Sequence, residues 1–313
     1  MTHPGAPEFD RIARAFGWSG DPRQVGDDAA LLPGSRLLCC DALAEGVHFR
    51  WEWSSSEDVG WKAVAANVAD ILAMGGAPDS AVWSVGMGEA WDDEIFAGLA
   101  RGALEACTAY GCSLVGGDTV RCCGPGFVSL SLLGTLLSPN PWKRSGARPG
   151  DRLVLAGTLG FAAAGLAALE AGLGGDPRWA RLVSAHRRPQ PPQESQATIR
   201  ASGLAVHAAI DLSDGLSSDA AHIATASGAA LILDTSGLVP TADQSDLAAQ
   251  LGVDPMDWLL HGGEDHSLLL AVPAGVVLPE GVRKIGRVEA GSGIWLDGPT
   301  GRKRLPPGGW RHA

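Results

Sequence analysis

Between Ile210 and Asp219 the chain reads Ile-Asp-Leu-Ser-Asp-Gly-Leu-Ser-Ser-Asp, setting three carboxylates and three hydroxyls directly after the mostly apolar run 204–210. Carboxylates this close repel one another and are costly to desolvate, so the segment can pack only around a cation or a set of donors that neutralises them. Hard oxygen ligands suit Mg²⁺. A plain helix start reads equally well from this stretch alone, with Ser213 or Asp214 capping a helix suggested by Leu216–Ala226.

The same habit of placing acid beside glycine at the ends of apolar runs recurs along the chain. Gly26-Asp27-Asp28 runs into Ala29–Leu32, and the strand-like Leu37–Cys40 delivers Asp41 at its end, followed by Glu45-Gly46-Val47-His48-Phe49. Ser55 and Asp58 form a capping box for a helix over about Glu57 to Met74, stopped by Gly75-Gly76. Val64, Val68 and Ile71 make its apolar face, while Ala63, Ala66, Asn67, Asp70 and Met74 form a second stripe whose small residues leave room for Asn67 and Asp70 to reach a partner. A helix over Asp92–Tyr110 leads to the strand Cys112–Val115 and then to Gly116-Gly117-Asp118-Thr119, where two glycines let a phosphate or metal approach the backbone.

Phe127–Leu137 reads as a strand, and Pro139-Asn140-Pro141 as the linker between domains spanning 1–138 and 139–313. In the second half the spacing predicts strands at Arg152–Ala156, Ala230–Asp234 and His266–Val272, with an Ala-rich helix after Thr158-Leu159-Gly160. The first helix of the chain is expected around Phe9, Ile12, Ala13 and Phe16. Alternating strands and helices in both halves give an α/β or α+β class.

Composition narrows the function. A net charge of −11 with four lysines argues against a nucleic-acid-binding face, so a phosphate ligand needs metal ions to carry positive charge. The six cysteines form no C-x-x-C pair and read as reduced thiols. Pro4, Pro7 and acidic residues stand where a secretory signal would need an apolar run, and no stretch approaches the ~20 apolar residues of a membrane span, so a cytoplasmic protein is expected. No Gly-Lys-Ser/Thr, no G-x-G-x-x-G after a strand and no protein-kinase signature is present.

Taken together and in order, these segments resemble the thiamine-monophosphate kinases of the aminoimidazole-ribonucleotide synthetase superfamily. The likeness runs through Gly26-Asp27-Asp28, Asp41 with Glu45–Phe49, Lys62–Asp70, Gly116–Thr119, Arg144-Ser145-Gly146, Asp211–Gly215 and Gly262-Gly263-Glu264-Asp265, nearly the whole chain. It implies a two-domain fold whose N-terminal domain binds ATP and metal and dimerises through its sheet, with a C-terminal α/β domain completing the cleft. It also implies ATP-dependent phosphorylation of thiamine monophosphate to thiamine diphosphate by a homodimer. By that likeness Asp27, Asp41, Asp70, Asp118, Asp211 and Asp214 hold several Mg²⁺ ions, and Gly117, Asp118, Arg144 and Ser213 contact ATP. His48, Glu264 and Trp310 then hold thiamine monophosphate, with Trp310 stacking on an aromatic ring and Glu264 offsetting the thiazolium charge.

The chain departs from the family pattern at Cys39-Cys40 in place of Ser-Thr, at His266-Ser267 in place of Tyr-Glu, and at Ala313 in place of a terminal Phe. Thiols are poor Mg²⁺ ligands, so carbonyls or waters serve at the first position or one metal site is weakened. The alternatives are another ATP-using enzyme of the superfamily, or a nucleotide or thiamine-phosphate binding protein without turnover. Selenophosphate synthetases want a reactive Cys near the N-terminus and hydrogenase-maturation relatives a C-terminal Cys, and this chain has neither. Asp118→Asn is expected to lower turnover and Mg²⁺ affinity together in a coupled ADP-release assay titrated with Mg²⁺; normal turnover would count heavily against the kinase reading.

Overall fold

The computed structural model describes residues 26–310; the helix expected near Phe9–Phe16 and the last three residues lie outside that range. The first half contains β1 (Ala30–Leu32), β2 (Arg36–Ala44), α1 (Ser56–Ala73), β3 (Gly76–Met87), α2 (Asp93–Tyr110), β4 (Ser113–Arg121) and β5 (Phe127–Leu136). These strands form a sheet in the order β1-β2-β5-β3-β4, antiparallel except for the β3/β4 pair. Strict alternation of half-buried and buried residues along β5 shows one face of this sheet packed and the other open.

α1 begins at the expected capping box, with the Ser55 hydroxyl accepting from the Asp58 N–H and the Asp58 carboxylate accepting from the Ser55 N–H. Its burial departs from the two-stripe expectation, because the helix is enclosed on nearly every side from Val59 to Ala73. A helix apolar all round belongs inside a structure, and the reason here is a second layer of protein. α2 covers one side through glycines. A Cβ on Gly60 would meet the Leu99 carbonyl oxygen at 2.0 Å, and one on Gly102 would meet that of Glu57 at 1.9 Å.

The second half supplies the other cover. It comprises β6 (Arg152–Ala156), α3 (Phe161–Glu170), α4 (Ala180–Arg187), α5 (Gln193–Ala201), β7 (Ala208–Leu212), α6 (Leu216–Ser227), β8 (Ala230–Asp234), α7 (Ala242–Leu251), α8 (Pro255–His261), β9 (Ser267–Val272), β10 (Val282–Glu289), β11 (Gly293–Gly298) and β12 (Gly301–Leu305). Its sheet runs β12-β11-β8-β10-β6-β9-β7. Ala209, Leu268, Leu270 and Val272 join the same buried cluster as Val64, Val68 and Ile71 of α1, so one apolar core crosses between the halves. Polar ties reinforce it: the Gln196 amide donates to the Gly76 carbonyl, Arg200 to those of Gly75 and Leu137, and the Trp61 indole to that of Pro189.

Several boundaries differ from expectation for physical reasons. β2 continues past Asp41 to Ala44 because it pairs with β5 along its full length. β4 runs through Gly116-Gly117-Asp118-Thr119 because β3 pairs with it residue by residue, so this glycine pair lies in a strand and not in a turn. α6 has Gly215 at its N-cap with φ 118°, a conformation that favours glycine, and neither Ser213 nor Asp214 caps it. Among the described residues no helix is long and apolar enough to cross a membrane, and all six cysteines are free.

Gly102→Ala tests the α1/α2 contact. The substitution gains roughly 1 kcal/mol of helix propensity, but the clash with the Glu57 backbone outweighs it, so a net loss of about 1–2 kcal/mol is expected in urea denaturation. A stabilised variant would refute the close approach.

Candidate active site

Three segments converge on one acidic cluster. Asp28 precedes β1, Asp70 lies in the last turn of α1, and Asp211 is near the end of β7; one carboxylate oxygen from each lies within 4.8 Å of the others. Burial pushes the Asp28 carboxyl up to about 7, against the pull of Arg144 and with the charge of Asp211 adding to it. Asp70 is driven well above the usual carboxylate range by burial and then by Asp41, Asp211 and Asp28. Asp41, inward-facing in the middle of β2, is raised to about 6 by burial and by Asp211.

Arg144 is the cation within this cluster. Its Nε and Nη2 donate to Asp28 Oδ1 at 3.0 and 2.5 Å, and its backbone N–H donates to Asp27 Oδ1 at 2.9 Å. Asp28 Oδ2 is buried with no hydrogen-bond partner. An orphaned acceptor beside two further carboxylates, in an all-oxygen donor set, fits a divalent cation of the Mg²⁺ type. Asp219 is buried beside the cluster, its Oδ2 accepting from the Asp214 and Gly215 N–H groups at 3.2 and 3.0 Å. Burial, then Asp211 and Asp214, raises its carboxyl well above the ordinary value.

The departures from the family pattern take distinct places. The Cys39 thiol is buried and donates to the Asn67 carbonyl at 3.3 Å, and Asn67 Oδ1 accepts from the Asp41 N–H at 3.2 Å. Burial and the charge of Asp70 hold that thiol protonated, so Cys39 braces α1 against β2. Cys40 points to the open face of the first sheet, 3.5 Å from the Ser129 hydroxyl. His266 sits at φ 49° with Nδ1 3.4 Å from Asp211 Oδ2; burial opposes its charge, but Asp211 raises its pKa overall.

A second constellation adjoins the first. Lys62, buried in α1, donates to both Glu264 oxygens at 3.1 Å and to the His48 carbonyl at 3.4 Å. His186 Nδ1 lies 3.3 Å from Glu264, and burial together with Lys62 pushes this imidazole down to about 3, so it is neutral. Burial alone would raise the Glu264 carboxyl, yet the Lys62 ammonium holds it below the usual range. Its charge is thus already balanced within the chain, which changes the expectation that it offsets a thiazolium. Glu264 holds φ 66°, and its N–H donates to the Ser213 carbonyl at 2.7 Å, joining this loop to the acidic stretch after β7.

The fold therefore gathers Asp41, Asp70, Asp211, Arg144 and Ser213 in one region, with Asp214 adjoining it, Asp27 joined to it through the Arg144 N–H, and Asp28 added to the set. His48 and Glu264 meet through Lys62, and His48 Nδ1 accepts from the Ala44 N–H at 3.1 Å. Trp310 is half exposed, and its N–H donates to the Asp214 carbonyl at 3.1 Å, which brings the C-terminal segment to the cluster. Gly117 and Asp118 stand apart. Asp118 is exposed on the edge strand β4, and the pairing row Ala42–Ser129–Ser84–Asp118 sets it three strands from β2, about 14 Å at the usual spacing. Lys62, the single lysine inside the long apolar helix, carried a sequence signature that residue-by-residue reading of acids passed over.

With this geometry in view, two family matches bear on the chain: the AIR synthase related protein N-terminal domain over residues 26–136 and the C-terminal domain over residues 148–293. The chain belongs to the AIR synthase related family. Within that family it groups with the thiamine-monophosphate kinases: it is 40% identical over 301 residues to that of Mycobacterium tuberculosis, covering 94% of this chain and 86% of the relative. The solved structure of AaThiL complexed with AMPPCP and TMP superposes with a TM-score of 0.89 at 33% identity, covering 100% of this chain and 99% of that one. The thiamine monophosphate kinase of Aquifex aeolicus gives 0.85 at 31% identity, covering 96% and 97%.

The raised carboxyls have a consequence for stability. Without metal, Asp28 and Asp41 stay protonated in the fold at pH values where the unfolded chain has already released its protons. The native state then binds more protons between about pH 4 and 7, and stability falls as pH rises through that window. Thermal melts in EDTA and in Mg²⁺ should show a larger gain from Mg²⁺ at about pH 8 than at about pH 6, because at the lower pH the ion must displace protons. Equal gains at both would contradict a burial-raised cluster.

Proposed function

We propose that this chain transfers the terminal phosphoryl group of ATP to thiamine monophosphate, yielding thiamine diphosphate and ADP. The observation that carries the reading is the buried triad of Asp28, Asp70 and Asp211, drawn from both halves of a chain 33–40% identical to thiamine-monophosphate kinases. Mg²⁺ held by Asp28, Asp70 and Asp211, with Asp27, Asp41 and Asp214 nearby, would neutralise charge on the phosphates. Arg144 holds Asp28 in place through two hydrogen bonds to one oxygen, and Ser213 lies on the loop that reaches both clusters.

An acceptor that is itself a phosphate, with a second pKa near ~6, is already ionised at neutral pH. The chain's task is to bind, orient and exclude water, with no strong general base required. On the acceptor side, Lys62 fixes Glu264 and the His48 loop, while Trp310 is tied by its backbone to Asp214 and offers a half-exposed ring for stacking.

In this reading the division at 138/139 separates the ATP-binding, dimerising half from the half that completes the cleft, and the protein works in the cytoplasm as a homodimer. The open face of the first sheet supports pairing, since Leu38, Val82 and Val120 are 39, 46 and 50% exposed on it. Asp118 lies on that same face, so it reaches a metal only across the subunit boundary.

Incubation with ATP, Mg²⁺ and thiamine monophosphate, followed by chromatography, should give thiamine diphosphate in step with ADP, while an aminoimidazole-pathway substrate gives neither. Binding of both ligands without ADP release would replace the kinase reading with that of a binding protein.

A further inference from the structure

A second opening lies at the same end of the seven-stranded sheet as Asp211, beyond β9 and β6. β7 and β6 both run antiparallel to β9, and β6 and β8 both run antiparallel to β10, so the C-terminal ends of β6, β7 and β8 share this end with the start of β10. Thr158 after β6, Ser236 after β8, Arg283 and Lys284 at the start of β10, and Arg181 of α4 line a cavity of about 440 Å³. Leu159, Phe161 and Val239 give it an apolar wall. That size suits a small ligand, for which pockets run roughly 300–1,000 Å³.

The charge here runs against that of the whole chain, which is −11. Elsewhere on this domain Arg287 and Arg302 are clamped by Glu289 and Asp297 at 2.5 to 2.8 Å. In the cavity the two arginines are held far more loosely, while Lys284 lies near enough to Asp234 to help hold that carboxyl down. Arg283 donates to the Gly157 carbonyl at 3.4 Å, and Arg181 lies 3.9 Å from Asp243 while its guanidinium stacks 4.6 Å from the Phe161 ring centroid. The fixed acid nearest α3 is already engaged, for both Asp265 oxygens accept from the Gly160 and Ala162 N–H groups. Three cations, the hydroxyls of Thr158, Ser236 and Thr241, and an apolar wall around one cavity are complementary to a phosphate group carried on a flat, apolar body.

We propose that this cavity is a second ligand site, separate from the carboxylate cluster, that takes an aromatic or otherwise apolar phosphate monoester. Arg283 and Lys284 bind the phosphate, Arg181 closes on it from α4, and Leu159, Phe161 and Val239 receive the ring. The site rests on the second domain's own geometry and stands whether or not the chain phosphorylates thiamine monophosphate.

The test is calorimetric titration of the whole protein in EDTA, where the metal-free acidic cluster repels phosphate, with phenyl phosphate and inorganic phosphate as probes. Saturable binding of phenyl phosphate is expected, weakened at least tenfold, about 1.4 kcal/mol, in R283Q/K284Q. Val239→Ser should weaken phenyl phosphate but not inorganic phosphate. Arg181→Gln, an exposed position on α4, gives a second variant with several-fold weaker binding should the double variant fold poorly. No saturable binding of either probe by the parent protein, or binding by the folded cation variants equal to the parent's, overturns the proposal.

Discussion

A helix enclosed on nearly every side must find a partner for each polar group in its enclosed stretch, and besides the Trp61 indole α1 carries three there. Lys62 reaches Glu264 and the His48 carbonyl, Asn67 bonds to β2, and Asp70 faces Asp28 and Asp211. Those partners come from different parts of the chain, so the helix cannot be buried until both halves have closed around it. Unpaired, a buried lysine or aspartate costs several kcal/mol, which makes domain docking and site assembly a single event.

The carboxylate cluster adds the opposing term. Burial disfavours the charges of Asp28, Asp41 and Asp70, and neighbouring carboxylates disfavour them further; Arg144 offsets mainly Asp28. The site is therefore poised to take up positive charge, and the unsatisfied Asp28 oxygen marks where the fold leaves room for it. Phosphoryl transfer between two phosphates asks for this kind of place, since most of its barrier lies in bringing anions together.

Individual residues show where sequence reading stopped short. The ends of α1 and α2 were legible because capping boxes, first-turn acids and terminal glycines act locally. The extension of β2 and β4 was not, because hydrogen bonds from β5 and β3 decide it. Asp219 lies in the first turn of α6, and its carboxylate collects two N–H groups beside the cluster, a contact that the backbone turn at Gly215 makes and that linear spacing does not show. Glu264 read as a free counter-charge until Lys62, 202 positions away, was seen to meet it.

By itself the sequence determined the chemistry of the site: many acids beside glycines, few lysines, no nucleotide loop, and an ordered set of motifs specific to one family. These follow from residue identity and short spacing, which a linear reading contains. Only the tertiary structure decided that Asp28 stands with Asp70 and Asp211, that Lys62 pairs with Glu264, and that Asp118 lies three strands away on an open sheet face. The physical reason is that charge interactions depend on distance and burial, and both are set by how two sheets close on one helix.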